Sequence, residues 1–219
     1  MAHVGSAERK KRLHGCIIRE GGRRVTRLDV MTDIETLGTN SDSTIIQISA
    51  MAFDIKDGNT YFSFNQIADI EKNEKELKVT GGTIKWWLKT DKELFAQLIN
   101  SGESSSEDVL RNFHEWLCDL VDGGADLYLW GNGILFDNKM IQHQFERLGL
   151  TYPINYRNDR DVRTIVELAA DKLGVSEGEL KEHYDDESLV HHNAFDDVRY
   201  QIRILIGCYK ILMGEVTDG

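Results

Sequence analysis

The stretch Met31-Thr32-Asp33-Ile34-Glu35-Thr36-Leu37-Gly38-Thr39 decides how this chain is read. The residues leading into it, Arg27 to Asp33, form the first candidate strand. Alternate side chains of a strand share one face, so Asp33 and Glu35 point the same way. Two neighbouring carboxylates repel unless a proton or a cation separates them. Their hard oxygens suit Mg²⁺ or Mn²⁺. An Asp-x-Glu pair also stands at many exposed strand ends without any function, so it needs partners from elsewhere in the chain.

Working outward, Ile45 to Ile55 is an apolar, β-rich run that ends in the turn Lys56-Asp57-Gly58-Asn59. Tyr61 to Ile67 is its hairpin partner, with Phe62 and Phe64 on the face opposite Tyr61 and Ser63. Residues 69–78 are mostly charged and read as a solvated loop. Thr83 to Asn100 reads as one helix and Ser101 to Ser106 as a loop, with Ser104 and Glu107 as a capping box. Val109, Leu110, Phe113, Trp116, Leu117, Leu120 and Val121 recur at helical spacing until Gly123-Gly124. Leu127 to Trp130 is a short buried strand. Three more helices follow: Asp137 to Leu148, Asp161 to Leu173 and Ala194 to Met213. The last carries Val198, Ile202, Leu205, Ile206 and Tyr209 on one face. A hairpin-rich first half followed by alternating helices and a strand predicts an α/β or mixed α+β layer architecture.

Composition narrows the options. The 219 residues, 41% of them hydrophobic, suit one well-packed domain. No apolar run approaches the roughly 20 residues that span a bilayer. Cys16, Cys118 and Cys208 form no CxxC pair, and a reducing cytoplasm is the simplest setting. The net charge of −11 argues against a module that grips nucleic acid by charge alone. It does not exclude a nuclease whose carboxylates are neutralised by cations. Residues 1–27 carry eight basic and two acidic residues, a net of +6, so the remainder carries −17. The basic segment 1–27 is expected to be a flexible extension, with a single domain over residues 28–219.

Two further segments hold candidate chemistry. Gly131-Asn132-Gly133 leads through Phe136 to Asp137, an acid opening a helix. Such an acid is commonly a cap, yet α/β proteins also place functional groups at this junction. His192-Asn193-Ala194-Phe195-Asp196-Asp197 sets a histidine five positions before an acid. Either it is a charged first turn, or it supplies one metal ligand and one general base, a role suited to histidine's pKa. His191 reads as an exposed loop residue.

The order Asp33-x-Glu35, Asp137, His192-x-Ala194-x-x-Asp197 resembles the DEDDh exonuclease superfamily, the group of RNase T and the polymerase proofreading subunit. "MTDIETLGT", "GGTIKWWLK", "GNGILFDN" and "DRDVRTI" resemble its phage and prophage branch, with exonuclease VIII-type and phage exonuclease A-like proteins. That branch also holds a mycobacterial exoribonuclease group. The resemblance spans about residues 28 to 212. It implies an RNase H-like fold, a central mixed sheet flanked by helices. It also implies two Mg²⁺ or Mn²⁺ ions on Asp33, Glu35, Asp137 and Asp197, with His192 as general base. The activity implied is 3′-5′ removal of nucleoside 5′-monophosphates from DNA, single-stranded favoured, or RNA with a free 3′ end. A homodimer and the cytoplasm of a bacterial or phage-infected cell are the implied setting.

The same resemblance makes Thr36 and Leu37 candidates for contact with the terminal nucleotide, though Leu37 reads equally well as core. Of the adjacent Trp86 and Trp87, Trp87 is the candidate to stack a base; packing of both is the plainer reading. Asn132 and Arg163 are further substrate candidates, and Asp161 and Arg160 are candidates for supporting roles. Two other readings compete: a catalytically silent binding module on the same fold, and an aspartyl-phosphate phosphatase. The second fits poorly, because Glu35 stands where that motif needs an aspartate.

Overall fold

The computed structural model describes residues 26–215. The basic segment 1–27 lies outside that range except for Thr26 and Arg27, which open the first strand. Five strands form one mixed sheet: β1 (Thr26–Thr36), β2 (Ile45–Phe53), β3 (Thr60–Ile67), β4 (Ala125–Gly131) and β5 (Asp159–Asp161), in the order β3-β2-β1-β4-β5. β1 runs antiparallel to β2 and parallel to β4. Seven helices flank the sheet among the described residues: α1 (Gly81–Thr90), α2 (Lys92–Asn100), α3 (Ser106–Asp122), α4 (Asp137–Arg147), α5 (Val162–Leu173), α6 (Glu177–His183) and α7 (Ala194–Met213). The architecture is the RNase H-like α/β layering expected. None of these helices is long and apolar enough to cross a membrane.

β1 is the central strand, and its alternation sorts the two cores. Leu28, Val30 and Ile34 face one side, where Phe113 and Leu117 of α3 and Phe145 of α4 cover them. Met31 faces the other side, with Trp130, Val166 of α5, and Val198, Ile202 and Leu205 of α7. Burying a side chain such as Phe113 contributes about 1.5–3 kcal/mol, and these two layers hold β1 rigid where it emerges toward Asp33 and Glu35. Asp29 shares their face of the strand. It is buried but satisfied, bidentate with Arg27 at 2.7 and 3.0 Å and accepting from Trp130 Nε1 at 2.7 Å. It is a structural carboxylate.

The structure corrects several local expectations. The single helix over Thr83–Asn100 is two helices, α1 and α2. Asp91 separates them with an extended backbone, and its side chain caps α2 by accepting from Leu94 N at 2.8 Å. An aspartate cap outcompetes helix continuation there. The break folds α2 back so that Leu94 and Leu98 bury Trp87, Leu37 and Ile46 in a third, smaller core. The cap of α3 lies one residue later than the Ser104–Glu107 box: Ser105 accepts from Asp108 N. The loop 69–78 contains a short 3₁₀ turn, Ile70–Lys72. β5 and α6 were not expected from the sequence pattern.

Candidate active site

Asp33 and Glu35 leave the end of β1 on the face covered by α7. α7 begins beside them because its first backbone N–H, Ala194, donates to the buried Gln47 Oε1 at 3.3 Å. Gln47 lies directly across from Glu35 on β2 and is itself fixed by donating to Asn65 Oδ1 at 3.0 Å. This seating carries Asp197, in the first turn of α7, to the strand end. One oxygen from each of Asp33, Glu35 and Asp197 then lies within 4.8 Å of the others. Asp137, at the start of α4, stands outside that trio but close enough to push up the pKa values of Asp33 and Glu35. The four acids named from the sequence therefore converge.

Their electrostatics are those of an uncompensated acid cluster. Burial, followed by the charges of Asp137 and Asp197, holds the Asp33 carboxyl well above the usual carboxylate range. Burial and the other three acids do the same to Glu35. Asp137 is pushed up to about 7, chiefly by burial, although backbone N–H groups and Arg163 pull the other way. Asp197 is raised by burial, against the His192 N–H and the charges of His192 and His191. A neutral amide rather than a cationic side chain touches Asp33: Gln201 Nε2 donates to Asp33 Oδ1 at 2.9 Å. Gln201 Oε1 is buried with no hydrogen-bond partner. Converging hard oxygens, raised carboxyl pKa values and an orphaned acceptor at the edge together fit a site for Mg²⁺- or Mn²⁺-like cations.

His192 is a non-glycine residue with positive φ, 65°, a conformation for which histidine is one of the better-suited side chains. Its backbone N–H donates to Asp197 Oδ2 at 3.1 Å, and its ring packs edge-to-face on Trp86 with centroids 4.9 Å apart. Asp196 is held away by Arg199 at 3.2 Å, so Asp197 is the acid of this segment that joins the cluster. His191 is exposed as expected, but it is not idle. Its ring nitrogens lie 3.5 Å from Asp185 and 4.0 Å from Asp197.

A cavity of about 500 Å³ opens beside the acids, lined in part by Glu35, Thr36, Thr83, Trp86, Trp87 and Phe136. Trp87 is only 1% exposed. Its ring stacks on Phe95 and its indole N–H donates to Thr36 O at 3.1 Å. It is a core residue at the cavity wall, and the neighbouring Trp86, 43% exposed, is the tryptophan that presents its ring. Leu37 is buried in the same small core and offers no free wedge in this conformation. Thr36 is buried, with its hydroxyl donating to Gly38 O. Asn132 sits half-buried in the turn before α4. The exposed Arg163 guanidinium lies against Gly133, on the Asp137 side of the site. Asp161 has a structural duty: it caps α5 and accepts from Ile134 N at 3.0 Å, fixing the glycine turn. Arg160 spends its hydrogen bonds on the Arg157 and Asp159 carbonyls and packs over Tyr128. The sequence reading missed Gln47, Trp86 as the presenting ring, and Gln201, which one-turn spacing beyond Asp197 would have marked.

A family model for the 3′-5′ exoribonuclease Rv2179c-like domain matches residues 28–208. The chain belongs to this family. That family is described as a 3′-5′ exoribonuclease domain. The match names an exoribonuclease domain and says nothing of the phage and prophage branch. No curated protein matches the sequence. Among solved structures, cell-death related nuclease 4 superposes with a TM-score of 0.60 at 19% identity, covering 87% of this chain and 65% of that one. The nuclease domain of 3′hExo, a DEDDh family member bound to rAMP, gives 0.55 at 16%, covering 88% and 96%. E. coli ExoI in a complex with ssDNA gives 0.58 at 15%, covering 87% and 41%. The present chain thus spans less than two thirds of the first and third proteins. At these identities the likeness is one of fold.

Proposed function

We propose that the chain removes nucleoside 5′-monophosphates one at a time from the free 3′ end of single-stranded RNA. Two divalent cations, Mg²⁺ or Mn²⁺, would be held by Asp33, Glu35, Asp137 and Asp197. The observation that carries this reading is the convergence of three carboxylate oxygens within 4.8 Å beside a cavity of single-nucleotide size. The exoribonuclease family favours RNA over DNA.

When bound, such cations balance the charge on the attacking and leaving oxygens of the phosphodiester. The chain's own groups do the rest. Asp33, which feels the charges of both Asp137 and Asp197, would be a ligand at the centre of the site. His192 takes the proton of the attacking water. As the water oxygen bonds to phosphorus, the bond from phosphorus to the 3′ oxygen breaks and that oxygen takes up a proton from solvent, which leaves a new 3′ hydroxyl on the shortened strand and a 5′-monophosphate on the released nucleoside. Arg163 meets a phosphate from beside the glycine turn that carries Asn132, and Thr36 lines the cavity. Trp87, with Leu37 in the core behind it, forms a fixed wall of the cavity. The expected homodimer and cytoplasmic setting rest on resemblance and composition; light scattering reads the first.

The test is a time course on 5′-end-labelled RNA and DNA oligonucleotides with Mg²⁺, Mn²⁺ or EDTA. Stepwise shortening of RNA with metal, and none with EDTA, is the expected result. Cutting of a circular single strand, or full activity in excess EDTA, defeats the reading. Faster shortening of DNA than of RNA reverses the substrate assignment alone.

A further inference from the structure

His192 has left the plane of ordinary backbone conformations, and what its ring rests on is specific. Trp86 takes the imidazole edge-to-face at 4.9 Å and 82°. Trp86 also meets Trp87, at 5.1 Å and 72°. Trp87 is buried and hydrogen-bonded to Thr36 O, one residue beyond Glu35. A continuous chain of contacts therefore runs from the end of β1, through Trp87 and Trp86, to the imidazole. The only exposed link in that chain is Trp86, and Trp86 also lines the cavity beside Glu35.

We propose that Trp86 is a positioning residue for His192: it ties the imidazole to the strand end that carries Asp33 and Glu35, and a nucleotide entering the cavity acts on that tie. The proposal rests on the assignment of His192 as the base. Edge-to-face packing fixes direction as well as distance, because a positive ring edge seeks a negative ring face. A histidine on a loop with positive φ has few other restraints on its side chain; its backbone N–H is engaged with Asp197, which orients the main chain and leaves the ring to Trp86. A nucleotide base entering the cavity meets the indole that holds the imidazole. Substrate entry and base placement are thereby coupled through one side chain.

The experiment compares Trp86→Leu, Trp86→Phe, His192→Ala and the Trp86→Leu/His192→Ala double variant. kcat and KM are measured on an RNA oligonucleotide with Mn²⁺, and melting temperature is followed in parallel. Leucine keeps apolar bulk but removes the aromatic face; phenylalanine keeps a face. Trp86→Leu should lower kcat by roughly 10-fold or more, a part of the about 100- to 10,000-fold that a general base supplies. Trp86→Phe should restore most of it. In the His192→Ala background, Trp86→Leu should change kcat by less than about 2-fold, because coupled residues are not additive. A kcat loss of equal size in both backgrounds, or a change confined to KM, overturns the proposal. His192→Ala with wild-type kcat would remove the base assignment itself, and that outcome is read from the single variant. Independently of turnover, the His192 Cε1–H resonance should carry a ring-current shift that Trp86→Leu abolishes. It should move when AMP is added to the wild type and stay still when AMP is added to Trp86→Leu. A His192 resonance indifferent to Trp86→Leu would equally overturn the tie.

Discussion

Gln201 lies one helical turn beyond Asp197 on α7, and its amide reaches across to donate to Asp33 Oδ1 at 2.9 Å. One helix thus supplies a carboxylate to the cluster and orients another that arrives from β1. The bond is to a neutral donor, so it steadies Asp33 without consuming the negative charge a cation needs. We expect Gln201→Leu to keep the fold, since the side chain is 4% exposed and leucine is of similar size. It should weaken Mn²⁺ binding by about 10- to 100-fold, the usual effect of removing a group that orients a metal ligand. Calorimetric titration reads this directly. Unchanged Mn²⁺ affinity would mean that the Asp33 carboxylate is held by packing alone.

Metal binding should release protons, and the sign follows from the raised pKa values. Asp137 titrates at about 7 in the folded chain against an ordinary 3.8, and Asp33 and Glu35 are raised in the same direction. Below the ordinary value both the folded and the unfolded carboxyl are protonated, and the cluster costs the fold nothing. As pH rises, the unfolded chain ionises first while the folded carboxyl keeps its proton. The apo protein therefore loses stability as pH rises from about 4, Asp137's share running up to its folded value near 7. A cation replaces the proton and binds better as pH rises through the same window. Melting temperatures in EDTA and in excess Mn²⁺ should diverge as pH rises from about 5 through about 7. A gap independent of pH would contradict the raised carboxyls.

How far this site was legible can be read from its parts. The shared face of Asp33 and Glu35 follows from strand alternation alone, and it held. The start of α7 at Ala194 and the glycine turn before Asp137 are marked by local chemistry, so they were found in place. The break at Asp91 was not, because aspartate is tolerated within a helix and its preference for a cap shows only when the next helix has somewhere to pack. β5 and α6 span three and seven residues, too short for periodicity to register. Trp86 and Trp87 are neighbours on one helix. Which of them faces the core depends on where α1 sits against β2 and α2, a tertiary fact that no local pattern encodes. Gln47 and Gln201 are neutral and match no motif, although both hold the carboxylates in register.

Gly131 shows how little room the site allows. A Cβ there would come 2.6 Å from Asn138 Oδ1, 3.3 Å from Asp137 Cβ and 3.4 Å from Asp137 Oδ2. Asn138 cannot give way cheaply: it is buried and donates to Leu129 O and to Asp159 Oδ1 at 2.7 Å. The first turn of α4 must move instead, and Asp137 with it. Gly131→Ala should cost about 1–3 kcal/mol of stability, the usual range for overpacking a tight site. It should also weaken metal binding and lower turnover. Chemical denaturation and Mn²⁺ titration check the two effects, and an alanine variant with wild-type metal affinity would show that α4 absorbs the methyl group without displacing Asp137.

The last prediction separates the two histidines. The sequence allows two five-residue spacings, His191 to Asp196 and His192 to Asp197. The structure decides between the acids: Asp197 joins Asp33 and Glu35, while Asp196 pairs with Arg199 and accepts from Val190 N. Both histidines stand near Asp197. His191 is exposed, shared between Asp185 and Asp197, and packed edge-on to Tyr200. Those contacts hold its ring among Asp185, Asp197 and Tyr200. His192 packs on Trp86, which lines the cavity where a nucleotide would enter. His192→Ala should therefore reduce kcat by about 100- to 10,000-fold, the span of a lost general base, with Mn²⁺ affinity nearly unchanged. His191→Ala should leave kcat within a few-fold of the wild type and at most shift the pH at which Asp197 binds metal. If His191→Ala proves the more damaging change, Asp197 remains the ligand, and the proton of the attacking water leaves through the imidazole that now faces Asp185.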